Sequence, residues 1–132
     1  MADLTTAQTT AQQFAQHFYN LFDTNRASQD LQNLYCNVSI LQHENDTLMG
    51  KEAIAKKYVE MPFKTVKHIT TTVDGQPTID QGIFILVIGQ LKTDDDRPLG
   101  FSESFHLKMD PGSNSMVILN QTFRLVLHNI AA

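Results

Sequence analysis

The side chains that could do chemistry in this sequence are few and scattered. Five histidines invite a metal site. No two of them stand four residues apart, and no Asp or Glu completes a recognisable ligand set. His17 and His106 read as structural or surface residues. His68 differs, because it alternates in phase with Val66 and so faces the inside of its strand, where an imidazole must be paired or neutral. Cys36 is the single cysteine, which excludes an intramolecular disulfide or a thiolate cluster and reads as a buried structural thiol. Acid–base catalysis needs a carboxylate or histidine with a shifted pKa inside a cavity. Glu103 and His68 lie within strands and Asp80 at a strand entrance. Glu103 shares the phase of Phe101 and Phe105, which an edge position or a salt bridge explains as well as a site does. No catalytic pair emerges.

The densest charge is Asp94-Asp95-Asp96. Three consecutive carboxylates lack the alternating spacing and glycine turn of a calcium loop. They read either as a solvated hairpin tip or as an acidic prong that meets Lys or Arg of a partner.

The elements that must position these residues follow from periodicity. Ala7, Ala11, Phe14, Phe18 and Phe22 recur at helical spacing, so residues 5–23 form a helix with one buried face. Ser28 caps a short helix expected to run through Tyr35. Val38, Ile40 and the stretch to Met49 read as extended pieces around a polar turn at Glu44-Asn45-Asp46. A third helix spans residues 51–61, closed by Pro62. From Lys64 the period becomes two, with Asp74-Gly75 read as the turn that ends the strand. Residues 82–92 are apolar at nearly every position between Ile83 and Ile88, which predicts a central strand covered on both faces. Gly89 suggests a bulge or bend that curves the sheet. Strands at 99–109 and 115–127 follow, joined by a Pro111-Gly112 turn. Helices first and hairpin-linked strands after them predict an α+β fold: a curved mixed or antiparallel sheet with three helices on its concave side, enclosing an apolar cavity.

Length and composition bound what such a fold can do. The chain has 132 residues, 14.9 kDa, 42% of them hydrophobic and 18% charged, enough for one packed core and one domain over 1–132. Ten basic against 14 acidic residues give a net charge of −4, a poor match to nucleic acid. No run approaches the ~20 apolar residues of a membrane helix. The lone thiol and the lack of a secretory leader point to a reducing, intracellular setting. No cofactor is expected. Apolar residues on both faces of the central strand, Phe84-Leu86-Ile88 against Ile83-Ile85-Val87, leave one face for a second copy.

The string Phe14-Ala15-Gln16-His17-Phe18-Tyr19-Asn20-Leu21-Phe22-Asp23 resembles the first helix of the nuclear transport factor 2 family. So do Leu34-Tyr35, Gly50-Lys51, Met61-Pro62-Phe63, Gly89-Gln90-Leu91-Lys92, Leu99-Gly100-Phe101 and Phe123-Arg124-Leu125. The resemblance runs from about residue 11 to Asn129. It implies a non-enzymatic homodimeric carrier that binds the GTPase Ran in its GDP form. It also implies passage through the nuclear pore on weak contacts with Phe-Gly repeat nucleoporins, with residence in cytoplasm, nucleus and nuclear envelope. Carried over by position, the GTPase-binding rim comprises Glu44, Asp94 and Asp96, with His43 and His68. Phe63, Val66, Leu99 and Phe123 form the cavity wall. Two positions depart from the family. His43 stands where a large aromatic is usual, which makes the mouth more polar. Ala7 replaces an aromatic that serves repeat binding, a role Leu4 takes over only in part. The alternatives are a small-molecule isomerase or dehydratase of the same fold, and a subunit that pairs with a larger relative in messenger RNA export.

Overall fold

The computed structural model describes residues 3–110 and 112–127. Helix α1 (Leu4–Asn25) starts where the Asp3 carboxylate accepts the Thr6 amide at 2.7 Å, and it buries Ala7, Ala11, Ala15, Phe18, Tyr19 and Phe22. Helix α2 is a single turn, Gln29–Gln32, capped by Ser28. It stops short of the expected end at Tyr35 because the Leu34 carbonyl accepts the Ile118 amide at 2.7 Å. That bond starts sheet pairing, and Tyr35 opens strand β1 (Tyr35–His43) with its ring in the core. Strand β2 (Asp46–Met49), helix α3 (Lys51–Glu60) and strands β3 (Val66–Pro77), β4 (Ile83–Thr93), β5 (Leu99–Asp110) and β6 (Ser115–Val126) complete the chain.

The six strands form one sheet in the order β2-β1-β6-β5-β4-β3. Only the β1–β6 pair is parallel, so the sheet is mixed. Helix α1 packs over β3 and β4, and α3 over β1 and β2, on the same side as the core. Arg26 fastens the end of α1 to the loop after α3. Its Nε donates to the Tyr58 carbonyl at 2.9 Å, Nη2 donates to the Phe63 carbonyl, and the guanidinium lies 4.3 Å from the centre of the Phe63 ring.

Two further sequence expectations are corrected. Asp74-Gly75 does not turn: β3 continues to Pro77, and the reversal comes at Thr78–Gly82, where the Thr78 amide meets the Gly82 carbonyl. Gly75 answers to packing instead. A Cβ there would overlap the Ala11 Cβ and stand 2.8 Å from the Ala7 carbonyl, so only glycine lets α1 press onto β3. The second correction concerns β4, which alternates rather than being covered on both faces. Ile83, Ile85, Val87 and Leu91 are buried, while Phe84 and Ile88 are 42% and 39% exposed on the opposite face of the single chain. Gly89 sits opposite the irregularity in β3 between Thr70 and Thr72, close under the Ile69 carbonyl. Pro111 of the expected Pro111-Gly112 turn lies outside the described residues.

Candidate functional site

Between the helices and the sheet lies a cavity of about 210 Å³. Helix α1 contributes Phe18 and Phe22; α3 and the segment after it contribute Tyr58, Met61 and Phe63. The strands supply Val66, His68, Leu91, Thr93, Leu99, Glu103, Phe123 and Leu125, and His43 closes the space at the end of β1. The four wall residues expected from the sequence, Phe63, Val66, Leu99 and Phe123, therefore line one space. Strand parity explains the places of Leu99 and Phe123: inward positions of β5, and of β6 beyond its register shift, are odd-numbered, as are Glu103 and Phe123, which pair directly.

Glu44, Asp94 and Asp96 do not line the cavity; they sit in two tight turns that directly follow the lining residues His43 and Thr93. Glu44 adopts φ 52°, its amide donates to the Phe123 carbonyl at 3.0 Å, and its carboxylate accepts the Leu125 amide. Beside it, the His43 ring stacks on Phe123 with centroids 4.7 Å apart and planes 6° from parallel. Burial, helped by the nearby Lys57 ammonium, lowers the His43 pKa, with Glu44 and Asp46 opposing. The imidazole is thus held neutral and stacks as an aromatic ring, a less polar mouth than the residue type alone suggested. On the opposite hairpin, Asp94 has φ 49° and accepts the Lys64 and Thr65 amides at 3.0 and 2.9 Å. The Thr65 amide is the main cause of its lowered pKa, with the Lys64 amide adding to it against a small desolvation cost. Asp96 accepts only the Thr93 hydroxyl, at 3.5 Å. Glu44 and Asp94 are anionic groups that also fasten the turns carrying them.

His68 is not a rim residue. Its side chain is 6% exposed, within the cavity wall, where Nδ1 meets the Asp23 carboxylate at 2.6 Å. The other Asp23 oxygen accepts the His68 amide at 2.8 Å. The ring stacks on Tyr19 at 4.6 Å and stands edge-on to Phe22 and Phe101.

Glu103 is neither at an edge nor in a salt bridge. It is 5% exposed on the inner face, accepting Tyr19 OH at 2.8 Å and Gln121 Nε2 at 2.6 Å. Gln121 Oε1 in turn accepts Tyr35 OH at 2.7 Å, and Tyr35 and Tyr58 share a further hydrogen bond of 2.7 Å. Burial raises the Glu103 pKa against the pull of Gln121, His68 and Tyr19, and burial first of all lifts those of Tyr19, Tyr35 and Tyr58. Among the described residues no buried side-chain nitrogen or oxygen lacks a partner.

The family model of the nuclear transport factor 2 domain matches residues 10–125. This chain belongs to the nuclear transport factor 2 family. A curated nuclear transport factor 2 of Neurospora crassa is 42% identical over 118 residues, 89% of this chain and 93% of that protein. The Saccharomyces cerevisiae protein of the same name is 42% identical, covering 89% and 92%. The solved structure of nuclear transport factor 2 from Cryptosporidium parvum superposes with a TM-score of 0.81 at 36% identity, covering 88% of this chain and 91% of that one. These relatives are named as transport factors, not as enzymes.

Family membership places the chain in nuclear transport. It does not account for Asp23, Tyr19, Tyr58 and Gln121, to which the sequence alone assigned no role. Tyr19 and Asp23 stand four residues apart on the inner side of α1, a spacing that places two polar groups side by side. Gln121 shares the inward phase of Phe123 and could have been found by the same parity that placed Glu103. Among the described residues there is no group of three His, Cys, Asp or Glu fit to hold a metal ion, and no helix long and apolar enough to cross a membrane.

Proposed function

We propose that this nuclear transport factor 2 family protein is the import carrier of Ran in its GDP form, working as a homodimer that crosses the pore on Phe-Gly repeats. The observation that supports the reading is an apolar cavity whose lining residues His43 and Thr93 lead directly into turns carrying Glu44, Asp94 and Asp96. An aromatic side chain of the GTPase enters against Phe123, His43, Phe63 and Leu99. Basic side chains of the GTPase meet Glu44, Asp94 and Asp96. Each rim charge is worth about 1 kcal/mol or more where the contact excludes water, and together they set specificity and encounter rate. A second copy covers the outward face of β4, where Phe84 and Ile88 stand exposed. Ala7 is fully buried beneath β3, so repeat binding uses other residues, with Leu4 at 74% exposure available beside it. The carrier moves between cytoplasm and nucleus and is met at the nuclear envelope while in transit.

The test is capture of Ran loaded with GDP or GTP by immobilised wild-type chain and by the variant Asp94→Asn with Asp96→Asn. An asparagine at position 94 keeps an oxygen for the Lys64 and Thr65 amides, so the hairpin stays anchored while its charge is removed. Capture restricted to the GDP form and lost in the double variant, with dimer mass unchanged in ultracentrifugation, is expected. Wild-type capture by the double variant would refute the rim.

A further inference from the structure

The Arg26 guanidinium stands at the end of α1, and among the described residues no carboxylate pairs with it. Its counter-groups are carbonyls of the segment that leads from α3 into β3. Nη2 donates to the Phe63 carbonyl and, at 3.4 Å, to that of Met61, while Nη1 donates to the Lys64 carbonyl at 3.4 Å. The N–H groups of the same peptides bind Asp94. The Lys64 N–H shares its peptide with the Phe63 carbonyl and donates to Asp94 Oδ1 at 3.0 Å. The Thr65 N–H shares its peptide with the Lys64 carbonyl and donates to the same oxygen at 2.9 Å. A trans peptide carries C=O and N–H on opposite edges. Two consecutive peptide groups therefore lie between a cation and an anion, each accepting from the one and donating to the other. The Thr65 carbonyl also accepts the Asp94 amide at 3.0 Å, and its hydroxyl reaches Oδ1 at 3.3 Å.

We propose that Arg26 is a positioning residue for the binding rim, fixing the Asp94 carboxylate through the Phe63–Lys64 and Lys64–Thr65 peptides; that Asp94 meets a basic side chain of the GTPase rests on the carrier reading. A carbonyl that accepts from a cation makes the N–H of its own peptide a stronger donor. Two such N–H groups converging on one oxygen form a nest for an anion. The guanidinium suits this role because its planar fork meets carbonyls of adjacent peptides at once, where an ammonium is a point charge. The lowered Asp94 pKa agrees: the Thr65 amide is its first cause, and the Lys64 amide lowers it further against desolvation. Of the charged side chains nearest in sequence and space, Lys64, Asp95, Asp96 and Arg97, the Lys64 ammonium adds less than any of these bonds. Arg26 also lies 4.3 Å from the centre of the Phe63 ring, so one side chain holds both a wall residue of the cavity and a carboxylate beside it.

Arg26→Gln keeps a donor for one carbonyl and removes the charge. Carboxyl carbon chemical shifts, followed through a pH titration of the free full chain, should show the Asp94 pKa rising toward the ordinary 3.8. Asp46, held low by Lys57, should not move, which separates loss of the bridge from a general loosening of the fold. Binding of Ran-GDP should weaken roughly two- to tenfold, the effect of having to order one more side chain on association. In urea unfolding, Arg26→Gln combined with Asp94→Asn should have a midpoint above that reached by adding the two single shifts, because both remove the same bridge. Arg26→Lys takes the place of Arg26→Gln in that cycle where the glutamine variant does not fold. An Asp94 pKa unchanged by Arg26→Gln, a rise shared by Asp46, additive midpoints, or Ran-GDP binding at wild-type strength overturns the proposal. The titration and the cycle need no GTPase, so a wild-type chain that fails to capture Ran-GDP refutes the carrier reading and leaves those two readouts to decide the bridge.

Discussion

Replacing Glu103 by Gln tests whether the hydrogen-bond directions in the buried network are as the geometry implies. Tyr19 OH and Gln121 Nε2 each donate to one carboxylate oxygen. Gln121 cannot flip to accommodate a new donor, because its own oxygen already accepts Tyr35 OH. In the variant, the introduced glutamine therefore turns its oxygen to Gln121 and its amide to Tyr19, and the Tyr19 proton loses its acceptor. One buried donor left unpaired costs about 1–3 kcal/mol. For a domain of this size that corresponds to a fall in Tm of roughly 4–11 °C. Urea unfolding of both chains at pH 7 and matched protomer concentration measures it. A variant as stable as wild type would refute the assigned directions.

Gly75→Ala drives a methyl group into the Ala11 Cβ and forces α1 off β3, at a cost of about 1–3 kcal/mol, measurable as a lower thermal midpoint than wild type. His43→Phe keeps the stack on Phe123 and removes a titrating group whose folded pKa is depressed. Stability held by neutral His43 is present above the ordinary value of 6.5 and is lost as pH falls through the lower folded value, so the wild type should weaken relative to the variant in acid. Parallel stability curves for the two chains between pH 7 and 5 would contradict a buried neutral His43.

Periodicity was a sound guide wherever one face of an element meets the core. It set α1 to within two residues at each end and placed Glu103 in phase with Phe101 and Phe105 on the inner face. It failed where a distant element decides the local outcome. Asp74-Gly75 carries the composition of a turn, but α1 needs a residue without a side chain at that point, and tertiary packing overrode the local preference. Tyr35 has helical neighbours in sequence, yet the Leu34–Ile118 bond draws it into the sheet. The partners of Glu103 and His68 were illegible for the same reason. Tyr19 and Glu103 are separated by 84 residues, and Asp23 and His68 by 45, so only the folded chain brings them together.

The site divides into an apolar slot edged by carboxylates and a polar closed end, and the two halves place different demands on the fold. At the mouth, the anionic residues are fixed by backbone amides, so the same turns that close the sheet hold charge outward without long, flexible side chains losing entropy on binding. At the closed end, five polar side chains satisfy one another in an environment where any unpaired group is costly. A cavity that only had to receive an apolar ring would be better served by leucine at both positions 103 and 121, since well-packed apolar residues commonly match or exceed a buried polar cluster in stability. The network rigidifies Tyr19 and Tyr58, and Tyr19 is the platform on which His68 lies. The polar end thus holds the platform of the His68–Asp23 pair, and this ties the stability of the network to the shape of the closed end.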